Sequence, residues 1–242
     1  MFKKRYSFTM AKKTHIHHLN FEKCTEQFMQ DTFGLTYKKQ LNSLKKWITI
    51  DDVILHKTEQ EQLDELRFFA EERINAWNEG TLLVKLISPI INLSKLDSSK
   101  FATFAEVPLK TEFQTITNEQ VELGGIVDMV YATGVSESKA PYFCMHEYKR
   151  EKGNKADPRG QLLAEMLTAQ QLNPYTDVMY GLYVNGRNWF FAALEKNRNY
   201  AFSMAYDTIN TDIYDIVKIL RKLRIYVEEK ISTLPPNPKF IL

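Results

Sequence analysis

Tyr142-Phe143-Cys144-Met145-His146-Glu147-Tyr148-Lys149-Arg150 is an apolar run that turns charged at its end. Read as a strand, it places Glu147 and Lys149 on one face, because side chains two apart share a face. A carboxylate and an ammonium then emerge side by side where a buried strand leaves the core. The preceding apolar segment, Gly124-Gly125-Ile126-Val127-Asp128, closes on a second acid. A helical pattern with Gln161 near its start follows. Two acids that can hold a divalent cation, with a lysine beside them, suit phosphodiester cleavage. The cation polarises phosphate and activates water, and the lysine orients that water or stabilises growing negative charge.

Context separates this Glu-x-Lys from the others. The chain also contains Glu137-Ser138-Lys139 and Glu228-Glu229-Lys230. The first lies in a polar turn. The second lies in a helical pattern, where residues two apart do not share a face. Plainer roles exist for each residue: a turn-forming acid at Asp128, a cross-strand pair at Glu147 and Lys149, an exposed first-turn residue at Gln161. Glu165, one helical turn after Gln161, would either join the site or pair with Arg159.

Outward from the site, apolar periodicity predicts a helix from a Thr58 cap to about Trp77. A second helix follows Asn78-Glu79-Gly80 and carries Leu82, Leu83, Leu86, Ile87, Ile90 and Ile91, with Pro89 kinking or ending it. Phe101–Leu109 and Glu112–Ile116 read as one extended or bent strand around Pro108, followed by strands at Gln120–Ala132 and Pro141–Arg150. A polar loop, Glu151–Arg159, leads to a helix from Gly160 to Leu172. Asn185-Gly186 between apolar runs signals a hairpin of Asp177–Val184 with Asn188–Leu194. A strand at Tyr200–Tyr206 and a last helix capped by Asn210 or Thr211 complete the order, and Pro235-Pro236 ends it. Strands and helices mixed in this order imply an α/β layer arrangement, not a repeating βαβ one.

At 44% apolar and 26% charged, the composition is that of a globular chain, which argues against disorder. No apolar stretch reaches membrane-span length, so no membrane association is expected. The basic start Met1-Phe-Lys-Lys-Arg5 precedes no continuous apolar run, so no secretory signal is expected. Two cysteines without metal-ligand spacing, Cys24 and Cys144, fit a reducing, cytoplasmic setting. His15, His17 and His18 cluster without a Cys or acid framework and are not read as a metal site. Residues 1–50 hold ten Lys/Arg against three acids, a balance of +7, while the remainder of this +2 chain is −5. That segment would contact a phosphate backbone, a protein partner or a second copy of the chain. Lys152, Lys155 and Arg159 would add phosphate contacts beside the site.

These residues resemble the PD-(D/E)XK nuclease superfamily over about 79–184. The resemblance implies a restriction-endonuclease-like αβββαβ core with a mixed sheet flanked by helices. A basic N-terminal helical extension, 1–55, precedes a domain of 56–242 that ends in a C-terminal helix. It implies that Asp128 and Glu147 bind Mg²⁺, with Mn²⁺ as substitute and the Tyr148 backbone carbonyl as a further ligand. Lys149 then orients water, Gln161 supports the site, and Glu79 is the acid of the first core helix. The chain departs at Val127, where the family often has proline. The run from Pro141 to Trp189 is similar to a bacterial branch of the superfamily. The implied activity is hydrolysis of DNA. The alternatives are RNA cleavage by a defence or toxin effector, and a non-catalytic nucleic-acid-binding or assembly module.

Overall fold

The computed structural model describes residues 16–149, 157–173 and 178–233, with side chains to residue 229. Arg150, the polar loop from 151 to 156, His15 and Pro235-Pro236 lie outside the described residues. In chain order come β1 (His17–Asn20), α1 (Glu26–Phe33), β2 (Thr36–Tyr37), α2 (Asn42–Ile48) and α3 (Lys57–Arg73). Next are α4 (Glu79–Leu82), α5 (Ser88–Ser94), β3 (Phe101–Gln114), β4 (Gln120–Thr133) and β5 (Lys139–Lys149). The chain continues through α6 (Pro158–Leu172), β6 (Val178–Asn185), β7 (Asn188–Glu195), β8 (Asn199–Phe202), β9 (Tyr206–Asp207) and α7 (Asp212–Thr233).

The fold is α/β, with one mixed sheet flanked by helices. Its strand order is β1-β4-β5-β6-β7-β8-β2, with β3 along the other side of β4 and β9 on β7. The β1–β4, β5–β6 and β2–β8 pairs are parallel, and the others are antiparallel. α6 covers one face, and Leu162, Leu163, Met166 and Leu167 pack there with Leu123, Val127, Met145 and Leu194. The opposite face carries Leu182, Val184, Trp189 and Phe191 beneath Trp47, Ile90, Ile216 and Leu220 of α2, α5 and α7. α6 is enclosed: every residue from Gly160 to Ala169 is buried, the polar Gln161, Glu165 and Thr168 among them. Among the described residues, no helix is long and apolar enough to cross a membrane.

Several boundaries differ from the periodicity reading, each for a local reason. α3 starts at Lys57, not after a Thr58 cap, because the Glu59 carboxylate accepts from His56 N at 2.9 Å. Pro89 does not end its helix. A π turn at Leu83–Ile87 precedes it, with Ser88 N bonding to Leu83 O, and α5 continues from there. The wider turn accommodates a residue that lacks an N–H and crowds the carbonyl four back. β3, as expected, is one strand through Pro108. α6 begins at Pro158 because Asp157 Oδ1 accepts from Arg159 N (3.0 Å) and Gly160 N (3.2 Å). The hairpin turn is Gly186-Arg187, with Gly186 at φ 60 where a primed turn needs left-handed backbone, and Asn185 pairs with Asn188. The segment expected as one strand at Tyr200–Tyr206 is two short ones, β8 and β9.

Residues 16–55 are not a separate extension. β1 and β2 are strands of the central sheet, and Phe21, Met29, Phe33 and Trp47 are buried in its two cores. Trp47 is fully buried, donates from Nε1 to Ile219 O at 2.9 Å, and meets the Phe191 ring edge-on at 5.2 Å. Trp47→Ala is therefore expected to cost about 3–5 kcal/mol and to lower the thermal midpoint by about 10 °C. Circular-dichroism melting reads this, and an unchanged midpoint would show that α2 does not hold the core.

Candidate active site

β4 and β5 pair from Thr133↔Lys139 to Met129↔His146 and then part. Further along β4, β1 occupies the same side, pairing with residues 121–124. Asp128 stands where the ladder stops. Its Oδ2 accepts from Tyr148 N at 2.8 Å, so a side chain takes over from a strand carbonyl. In extended backbone the N–H and C=O of one residue point the same way. The Tyr148 carbonyl therefore also points into the fork. The Tyr148 side chain lies on the opposite face, with its hydroxyl 2.8 Å from His146 Nδ1.

Glu147 and Lys149 leave β5 on the α6 face. Glu147 is fully buried, and its Oε1 forms an ion pair with Lys149 Nζ. Lys149 Nζ also lies 3.7 Å from Glu79 Oε1, at the exposed start of α4. Gln161 Nε2 donates to Glu147 Oε2 at 2.7 Å and to Glu165 Oε1 at 3.2 Å. The fold thus brings together Asp128, Glu147, Lys149, Gln161, Glu79 and the Tyr148 carbonyl.

Glu165 and Glu106 join them. Glu165 is fully buried behind Gln161, while Arg159 pairs instead with Glu26, at 3.2 Å. The i, i+4 spacing from Gln161 signals this position. Glu106 carries no such signal. The pairs Ala105↔Met129 and Val107↔Val127 set it opposite Asp128, and its φ is 53. Val107, Leu109 and Phe113 face α6 on one side of it and Phe104 on the other, so the alternation of β3 shifts by one residue there. A left-handed residue costs roughly 1–2 kcal/mol. His17 and His18 lie on β1, apart from this site, and His18 Nδ1 lies 3.1 Å from Glu122.

The carboxylates outnumber the cation. Burial pushes the Asp128 carboxyl above its usual range, against the Tyr148 N–H and Lys149. Burial, then the charge of Asp128, raise Glu147 to about 7 despite Lys149. Burial and Glu147 push Glu165 well up. Burial pulls Lys149 down, but Glu147, Asp128 and Glu79 outweigh it and keep the ammonium charged. Protons would compensate this excess, since Asp128 acts on Glu147 and Glu147 on Glu165 to favour the neutral carboxyl. A divalent cation would do the same.

The donor set suits a hard ion: two converging carboxylates, a backbone carbonyl and a nearby buried amide oxygen, Gln161 Oε1, with no partner among the described residues. Among those residues, no group of three or more His, Cys, Asp or Glu side chains is placed to hold a metal ion, so the donors here are two carboxylates with backbone and amide oxygens. Mg²⁺ fits such a site, since it takes one or two carboxylates and leaves other positions to water and phosphate.

Stability should record this crowding. A carboxyl whose folded pKa is raised stabilises the fold below its unfolded pKa, and that stability is lost as pH rises through the folded value. Glu147, at about 7, therefore weakens the metal-free fold as pH rises from 6.5 to 8, and Glu165 acts in the same direction. His146 has the opposite slope, because burial lowers it from 6.5 to about 3, but its effect ends near 6.5. The melting midpoint in EDTA should fall by about 3 °C between pH 6.5 and 8, and Mg²⁺ should restore it. A flat midpoint would mean that the carboxyls are not crowded. Comparison of the chain with protein-family models and with curated proteins finds no match.

Proposed function

We propose that this chain is a Mg²⁺-dependent nuclease that hydrolyses DNA phosphodiester bonds on a restriction-endonuclease-like αβββαβ core. The order of the α4–α5 helix, β3, β4, β5, α6 and β6 supports the core assignment. The observation that carries the functional reading is the meeting of Asp128, Glu147 and Lys149 at one fork, with Gln161 bonded to Glu147.

Asp128 and Glu147, with the Tyr148 carbonyl, would hold the cation, and Mn²⁺ would substitute through the same oxygen donors. When bound, the cation supplies Lewis-acid stabilisation of the phosphate and a more acidic water. Lys149, held charged, donates to the attacking water and orients it toward phosphorus. It is not the base, because a protonated ammonium has no lone pair to accept a proton. Gln161 holds one Glu147 oxygen and leaves the other toward Lys149 and the fork. Glu79 restrains the ammonium from the solvent side. Glu165, kept protonated by burial, backs Gln161 and adds no charge.

Supercoiled plasmid, single-stranded DNA and RNA incubated with Mg²⁺, Mn²⁺ or EDTA test this. Cleavage of DNA with either cation and none in EDTA is expected. Binding of nucleic acid without cleavage under any condition would favour a non-catalytic binding module.

A further inference from the structure

A cavity of about 520 Å³, largely open to solvent, lies beside the start of α6, lined by Glu26, Gln27, Gln30, Tyr37 and Arg159. The Arg159 guanidinium lies 4.3 Å from the Phe202 ring centroid and 5.9 Å from that of Tyr37. The Tyr37 backbone is held by pairing with β8, yet the residue is 46% exposed. Gln30 Nε2 donates to the Tyr200 hydroxyl at 2.6 Å, and that hydroxyl donates to Glu26 Oε1 at 2.7 Å. Glu26 Oε2 faces Arg159 Nε at 3.2 Å.

Charge decides what this cavity suits. Its lining cation, Arg159, is matched by Glu26, so an entering phosphate would meet a carboxylate and no surplus positive charge. A flat, neutral ring with hydrogen-bonding edges meets no such penalty. Bases stack on aromatic rings and on guanidinium planes. Glutamate and glutamine match exocyclic amines and ring nitrogens.

The cavity is also tied to the fork. A Cβ at Gly160 would lie 2.3 Å from the Thr25 carbonyl carbon, so the starts of α6 and α1 meet backbone to backbone. Asp157 caps α6 with Oδ1 and accepts from Glu26 N with Oδ2, at 2.7 Å. Arg159 lies two residues before Gln161, which holds Glu147. The two side chains leave the helix on different faces, so wall and site are joined through the start of α6.

We propose that this cavity holds one unstacked nucleobase of a single strand whose phosphodiester lies at the β4–β5 fork. Its place beside a cleavage site rests on the nuclease reading; base binding itself does not. Fluorescence anisotropy of the full-length chain in EDTA, where no strand is cut, tests it. The probes are labelled single-stranded DNA, the same sequence as RNA, a blunt duplex, and a strand with abasic positions.

Tyr37→Ala should weaken single-strand binding by about 5-fold or more and leave the abasic strand unaffected. Tyr37→Phe should bind like wild type. Arg159→Lys, which keeps the charge and loses the plane, should weaken binding as Tyr37→Ala does. Tighter binding of the RNA than of the DNA would support the base contact and assign the strand to RNA. Wild-type affinity in Tyr37→Ala, an equal loss on the abasic strand, or tighter binding of the duplex would each overturn the proposal. If Tyr37→Ala binds weakly but wild type cuts nothing with Mg²⁺ or Mn²⁺, the pocket stands and the nuclease reading falls. If wild type cuts and Tyr37→Ala binds normally, the reverse holds.

Discussion

Lys149→Ala is expected to lower DNA cleavage by about 10³-fold, the scale seen when a positioned electrostatic group is removed. Divalent-cation binding should persist, because Asp128, Glu147 and the Tyr148 carbonyl remain. Stability should move the other way from a simple surface truncation. Lys149 Nζ is the ammonium paired with Glu147 and Glu79, so its loss leaves crowded carboxylates without a cation. The EDTA melting midpoint should therefore fall, and Mg²⁺ should raise it by more than in wild type. Cleavage at the wild-type rate would make Lys149 a structural counter-charge and remove it from the mechanism.

Asp128→Ala is expected to abolish cleavage and cation binding together, and to raise the metal-free midpoint at pH 8. Asp128 raises the pKa of Glu147 through its charge, so its removal relieves that repulsion. The gain is offset in part by the Tyr148 N–H, which loses its acceptor. A net rise of about 2 °C or more is expected, since 1 kcal/mol moves the midpoint of a chain this size by roughly 2–4 °C. Lys149→Ala and Asp128→Ala thus share loss of cleavage but differ in the sign of the stability change. A fall in both would mean that Asp128 serves the strand ladder and not a cation site.

The parts of the fold legible from sequence are those with local signals. β5 shows itself as an apolar run ending in Glu147-Tyr148-Lys149, and α6 by its leucines and methionines. The β6–β7 hairpin shows itself by Asn185-Gly186, although the turn sits one residue later. β1 and β2 escape such reading for a physical reason. They have four and two residues, too few to establish a period, and each pairs in parallel with a distant strand: His17↔Val121 and Thr36↔Asn199.

The candidate site is legible where spacing carries chemistry, as for Glu147 with Lys149, whereas the i, i+4 spacing of Gln161 and Glu165 leaves pairing of Glu165 with Arg159 open. Glu106 is not legible, because its place opposite Asp128 follows from the β3–β4 register and a left-handed backbone that Ala105-Glu106-Val107-Pro108 does not announce. Glu26, Tyr37 and Arg159 also come from segments far apart in sequence, and only the docking of α1 and β2 on α6 and β8 gathers them.

The central claim is that a divalent cation binds at the β4–β5 fork. Crystals grown with Mn²⁺ and measured for its anomalous signal test this most directly. The account predicts one peak between Asp128 and Glu147, about 2.0–2.2 Å from a carboxylate oxygen of each, and no peak there in Asp128→Ala. A strong peak elsewhere, or an empty fork with Lys149 still paired to Glu147, would contradict it.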